Sequence, residues 1–236
     1  MKKTFILIGI AIFFNSCAGQ NLGNILGSVM NNGPLTTDEI GRGLKEALTV
    51  GITNSSSQAS ALDGYLGNDA IKLLFPPEAR NIESKLRQIG LGGECDKFIT
   101  ALNRGAEDAA KKAAPIFVDA ITKMTFQDAV GLLKGDKNAA TQYLRKTSTD
   151  ALTTAFSPIM ENAIAQTGAT KYYGDLANTY NKIPFTNQKL NPDLKAYATQ
   201  QAINGLFMLV EQEEAKIREN PAARVSDLLK RVFGAK

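Results

Sequence analysis

Leu194-Lys195-Ala196-Tyr197-Ala198-Thr199-Gln200-Gln201-Ala202-Ile203-Asn204-Gly205-Leu206-Phe207-Met208-Leu209-Val210 is the stretch that decides the fold class. Leu194, Ala198, Ala202, Leu206 and Leu209 line one side of a helix, and Ile203, Phe207 and Val210 line another. A helix that is apolar on two faces is largely buried. Asn191-Pro192 just before it reads as a cap followed by a first-turn proline. Its far end, Glu211 to Glu219, reads as charged and solvated.

The rest of the chain is punctuated by further helix starts. Thr36-x-x-Glu39 is a capping box opening a helix through about Val50. Pro77 suits a first-turn position, and Ile82, Leu86 and Ile89 form a stripe that ends near Gly90. Glu94 to Ala114 carries Phe98, Ile99, Leu102, Ala106, Ala109 and Ala110 on one side. Its other side sets Glu107 before Lys111 and Asp108 before Lys112, acid-before-base pairs four apart. Pro115 restarts the chain, Thr125 and Asp136 read as caps of two shorter helices, and Ser148 or Thr149 as the cap of another. At Pro158 a kink or a new start is expected. A last helix runs from Pro221 to near Gly234, glycine being a common terminator. No stretch alternates with period two and no fixed helical repeat is evident, so the expectation is an all-α, single compact domain of about nine or ten helices.

The N-terminus carries a different signal. Lys2 and Lys3 precede an apolar run from Thr4 to Phe14, then Asn15-Ser16-Cys17-Ala18-Gly19, the pattern of a secretory signal peptide. The run falls well short of the ~20 residues that span a bilayer. A cysteine at the cut resembles the lipobox of bacterial lipoproteins, with Phe14 standing where such a box usually has Leu. That resemblance implies that Cys17 becomes the acylated N-terminus, anchored by two or more acyl chains at about 0.8 kcal/mol per buried methylene. The expected organisation is a removed signal peptide over 1–16, a lipid-anchored flexible tether over 17–34 and an all-helical domain over 35–236. Glycines at 19, 23 and 27 penalise helix in the tether, although Leu22, Ile25, Leu26, Val29 and Met30 give it a weak apolar stripe.

Composition excludes several function classes. There are 27 Lys and Arg against 23 Asp and Glu, and removal of Lys2 and Lys3 with the leader halves that excess. Without a clustered basic face, nucleic acid is not an expected partner. Histidine, the usual acid–base group at neutral pH, is absent, and so is tryptophan. Of the two cysteines, acylation consumes Cys17; Cys95, flanked by Glu94 and Asp96, reads as a small packing residue at a helix start. A domain of about 200 residues can bury one good core without disulfide staples.

The helical segments together resemble the bacterial lipoprotein family filed as domain of unknown function 4197. The matching stretches are Gly43–Leu48, Gly67–Ile71, Asn103–Ala110 continuing through Pro115–Phe126, Ala140–Ser148 and Pro221–Arg224. The match extends from about Leu35 to Phe233. It implies a helical fold and an envelope location, and it carries no assigned activity.

Chemistry is sparse. No Gly-x-Ser-x-Gly elbow, Ser-x-x-Lys motif or phosphate loop is present, and Ser55-Ser56-Ser57 has no base nearby in sequence. Gly135-Asp136-Lys137-Asn138 opens like a calcium loop but lacks its later glycine and glutamate, so no metal and no cofactor are expected. Carboxylates remain as acid–base candidates: Glu107, Asp108, Asp119 and Asp128. Their plainer reading is helix-surface ion pairs worth little each. If charge is buried, Arg104, Asp119 and Arg145 are the candidates, because each lies in a stretch shared with the family, and an internal Arg–Asp pair is then as plausible as a site. Tyr143 joins them, and Tyr172, Tyr173 and Tyr197 offer amphipathic rings that suit either a ligand pocket or a core edge. The expected role is a non-catalytic binding or interaction module, lipid-anchored in the envelope at the outer membrane facing the periplasm, its partner an envelope protein. A hydrophobic-ligand carrier and a carboxylate/Arg enzyme are the alternatives. Replacing Cys17 by Ala is expected to release the protein from membranes into the soluble fraction; a Cys17→Ala variant that stays membrane-bound contradicts acylation there.

Overall fold

The computed structural model describes residues 35–168, 181–182 and 193–234. Eight α-helices lie among them: α1 Thr37–Ser60, α2 Arg80–Gln88, α3 Gly92–Ala110, α4 Ala113–Lys123, α5 Phe126–Lys134, α6 Ala139–Ala165, α7 Leu194–Glu219 and α8 Asp227–Gly234. Short 3-10 turns at Pro77–Ala79 and Pro221–Ala223 precede α2 and α8, and the described residues contain no strand. The all-helical expectation holds, but the count is eight among the described residues rather than nine or ten. The described residues from Thr37 to Gly234 form one compact unit.

One reason for the lower count is that α6 is continuous. Ser148 and Thr149 do not cap a new helix: their hydroxyls donate backward, Ser148 to the Leu144 carbonyl and Thr149 to the Arg145 carbonyl at 2.6 Å. Pro158 lies inside the helix rather than starting another. A proline there costs about 3 kcal/mol. The stripe Leu144, Leu152, Phe156, Met160 and Ile164 is buried on both sides of it, and that burial, at roughly 1.5–3 kcal/mol per large side chain, outweighs the cost.

Helix α1 likewise runs past its expected end at Val50 to Ser60. In its polar second half two hydroxyls bond back into the helix, Thr53 donating to the Thr49 carbonyl at 2.8 Å and Ser55 to the Gly51 carbonyl at 2.7 Å, while the buried Ser56 hydroxyl has no partner among the described residues. Gly51, Ile52, Ser55, Ser56 and Ala59 are buried there, so small side chains supply a packing face that a hydrophobic pattern alone misses.

Helices α6 and α7 are antiparallel neighbours at the centre. Asn138 meets Glu211 at 2.9 Å, Arg145 meets Asn204 at 3.1 Å and Glu161 meets Lys195 at 3.6 Å. Leu144, Leu152 and Phe156 of α6 and Leu206 and Phe207 of α7 are fully buried with Leu102 of α3 and Phe117 of α4. Phe117 and Phe207 meet edge to face at 5.4 Å. Helix α1 packs across α7, α4 and α5, and α8 closes the side next to α1.

Two ends differ from expectation. The cap of α7 is Asp193, which accepts the Ala196 N–H at 2.9 Å; Asn191-Pro192 lies outside the described residues. The last helix does not run unbroken from Pro221. Arg224 turns back to the final carbonyls of α7, Ile217 at 3.1 Å and Arg218 at 3.0 Å, and α8 begins only at Asp227. The cap expected at Thr125 is present as a full capping box with Asp128, whose carboxyl the Thr125 hydroxyl and N–H hold below the usual carboxylate range.

Candidate functional site

The connection from α1 to the Pro77 turn, residues 61–76, is long and without helix, and segments of that kind are commonly functional. It is nevertheless anchored deeply, with Tyr65, Ile71, Leu73 and Phe75 all buried. Backbone groups buried outside a helix need partners from elsewhere. Helix α3 provides them. The Asn103 carboxamide takes the Leu73 N–H on its oxygen at 2.8 Å and donates to the Leu73 carbonyl at 2.8 Å. One oxygen of Glu107 accepts the N–H groups of Tyr65 and Leu66, each at 3.2 Å. Its other oxygen accepts from Arg104 at 2.6 Å, and Arg104 reaches Asp63 at 2.7 Å.

Local backbone geometry explains the residue types in this loop. Asp63 sits at φ +63°, a left-handed conformation that Asp tolerates better than most residues. A Cβ on Gly64 would lie 2.2 Å from the Gln58 carbonyl oxygen, so only glycine completes the turn. Tyr65 then passes through to α7 and donates its hydroxyl to the Ala202 carbonyl at 2.6 Å. Gly205 leaves room for that ring, since a Cβ there would approach it to 2.9 Å. Burial raises the Tyr65 phenol well above its ordinary value, and the Glu107 charge adds to the effect.

A second buried carboxylate lies where the sequence reading expected a solvated helix end. Glu214 of α7 is 8 % exposed. It accepts the N–H groups of Ala140 at 3.1 Å and Thr141 at 2.8 Å, plus the Thr141 hydroxyl at 2.7 Å. These are orphan donors of the first turn of α6, where a negative charge also meets the positive end of the helix dipole. Arg218 closes the set, pairing with Glu214 at 2.8 Å and donating to the Leu132 carbonyl of α5 at 2.9 Å. Asp136 is therefore not the cap of α6; its carbonyl accepts the Ala139 N–H, and Asn138 stands at the cap position without a side-chain capping bond. Glu213 is buried too, held by Asn54 of α1 at 2.9 Å and by Lys216. One signal could have found these acids: Val210, Glu213, Glu214 and Ile217 share one helical face.

The anticipated site residues do not converge. Arg104 is half-buried and paired as above, with Glu107 of its own helix and with the exposed Asp63, so it forms no Arg–Asp pair inside the core. Asp119 is exposed and pairs with Lys123 of its own helix at 2.6 Å, so it forms no internal Arg–Asp pair. Asp108 pairs with Lys111 at 2.7 Å, three residues on, and not with Arg104 or Lys112; Arg104 takes the Glu107 that the sequence assigned to Lys111. Tyr143 is half-buried, its phenol raised by burial and by Asp128. Arg145 stacks 4.4 Å over the Phe207 ring and donates to Asn204. Tyr197 donates to the Leu74 carbonyl at 3.2 Å, its phenol also raised by burial. Cys95 is a buried free thiol in the first turn of α3, pushed up by burial, which agrees with a packing role. Cys17, Tyr172 and Tyr173 lie outside the described residues.

Between α1, α6, α7 and α8 lies a cavity of about 20 Å³ lined by Leu48, Ile52, Val210, Glu214, Ile217 and Phe233. That is room for roughly one water. Among the described residues no group of His, Cys, Asp or Glu could hold a metal ion, and no helix is long and apolar enough to cross a membrane.

The architecture defines an all-helical domain in which two buried acids, Glu107 and Glu214, bind backbone N–H groups of other segments. A family model described as protein of unknown function (DUF4197) matches residues 34–234, and the chain belongs to that family. No curated protein and no solved structure matches it.

Removing a buried partner leaves its mate uncompensated, so Glu214→Ala is expected to lower stability by about 3–5 kcal/mol in urea unfolding followed by circular dichroism. Asp119→Ala, which breaks an exposed pair, is expected to stay within about 0.5 kcal/mol of wild type. Equal effects of the two substitutions would contradict the structural role of Glu214.

Proposed function

We propose that this protein is a lipid-anchored envelope module that acts by binding another protein rather than by catalysis. The observation carrying this reading is that its buried carboxylates are already committed. Glu107 and Glu214 each accept two backbone N–H groups and one arginine, and Glu213 accepts from Asn54 and Lys216. An acid whose oxygens are already taken by donors within the fold has little left to offer a substrate. Arg104, Asp119, Tyr143 and Arg145 share no partner, so they supply no common cleft.

The carrier alternative calls for an apolar cavity of a few hundred Å³. The cavity of about 20 Å³ between α1 and α7 favours the interaction reading over it. The exposed surface offers contact points instead, with Ile89, Leu91 and Met208 all open to solvent. Membrane attachment rests on the Cys17 lipobox, and an outer-membrane position facing the periplasm on the Ala18-Gly19-Gln20 start, which lacks acidic residues.

Photo-crosslinking in cells tests the reading. A crosslinker placed in turn at Ile89, Leu91 and Met208 is expected to give a discrete protein adduct from at least one position, in the membrane fraction, that weakens when Cys17 is replaced by Ala. Absence of an adduct from all three positions contradicts it, and lipid retained by the purified protein in native mass spectrometry favours the carrier.

A further inference from the structure

We infer that Arg145, seated between α6 and α7, is an anchor for a carboxylate brought by an acidic segment of a partner protein. The inference rests on the interaction reading above and names its contact. The half-buried arginines of this domain otherwise have their charge or donors answered from within. Arg104 holds Glu107 and Asp63, Arg218 holds Glu214, and Arg231 holds Glu39 at 2.8 Å. Arg224 lies against two carbonyl oxygens at the negative end of α7. Arg145 differs. It donates to a single neutral acceptor, the Asn204 carboxamide oxygen at 3.1 Å, and no carboxylate of the described residues lies within ion-pair distance.

A guanidinium carries five N–H donors in a planar fork and is always charged. Here one acceptor meets that fork, and even this oxygen is shared with the Gln200 amide at 3.1 Å. The stem is not free to wander, because the guanidinium lies 4.4 Å from the centroid of the Phe207 ring. Phe207 is fully buried and fixed edge to face by Phe117. A stacked, partly desolvated and pre-oriented fork is the arrangement that recognises a carboxylate with two parallel hydrogen bonds. Partial burial of a cation without a counter-charge is unfavourable, and an incoming anion relieves it.

The surroundings favour a protein segment over a free anion. Met208 lies one helical turn beyond Asn204 on α7 and is 42 % exposed. An acidic side chain flanked by an apolar one could therefore engage Arg145 and Met208 together.

The test follows the arginine Nε–H resonances of the ¹⁵N-labelled full chain as probes are added at constant ionic strength. Sodium glutarate is expected to shift the Arg145 resonance saturably while Arg104 and Arg218 stay put. The peptide acetyl-Leu-Glu-Leu-amide is expected to half-saturate it at a concentration lower by on the order of tenfold, equivalent to about 1.4 kcal/mol. The same peptide with Gln in place of Glu is expected to have no effect. The inference is overturned if Arg145 moves no more than exposed Arg42, if sodium chloride shifts it equally, or if inorganic phosphate shifts it and glutarate does not. Crosslinks obtained at Ile89 or Leu91 with a silent Arg145 would leave the interaction reading standing and remove this anchor.

Discussion

The carboxylate of Glu214 is the interaction on which the domain's centre depends. It comes from near the end of α7 and meets the first turn of α6, so one side chain fixes the register of two long antiparallel helices. Its charge is balanced by Arg218, and Arg218 in turn holds the Leu132 carbonyl near the end of α5. Three helices are thereby tied through one ion pair. Glu107 does comparable work at another place, binding the N–H groups of a loop that has no helix to supply partners. In both cases an acid beside an arginine answers the same need: buried backbone donors that secondary structure leaves unpaired.

Much of the fold was legible in the sequence because helices announce themselves through apolar spacing. The stripe Leu194–Ala198–Ala202–Leu206–Leu209 is buried throughout, as its two-faced pattern required. The cap at Thr125 and the packing role of Cys95 were equally readable, since both depend on near neighbours. What escaped reading were choices made by tertiary contacts. The polar run in the second half of α1 resembles a loop, yet the Thr53 and Ser55 hydroxyls bond within the helix and its small residues pack. Ser148 and Pro158 look like boundaries, but a buried stripe on both sides of them keeps α6 whole.

The candidate site was the least legible part. The stretch that Asp119 occupies suggests a buried charge, whereas its side chain is exposed and pairs with Lys123. A run of acids usually reads as solvated, yet Glu213 and Glu214 share a helical face with Val210 and Ile217 and are buried. Arg104 and Arg145, the other two candidates for buried charge, are each half-buried, in different settings. One completes an internal network, and the other is left with a neutral partner on an aromatic platform. That contrast separates a residue that holds the fold from one available to something outside it.

Native-state hydrogen exchange tests most directly the claim that buried acids act as caps between distant segments. Amides near a helix start or in a loop ordinarily exchange readily, at a small fraction of the global free energy. The account predicts that the Tyr65, Leu66, Ala140 and Thr141 amides are protected about as strongly as the Leu206 amide in the middle of α7. Exchange of those four as fast as that of Leu62, on the exposed turn just before them, would contradict it.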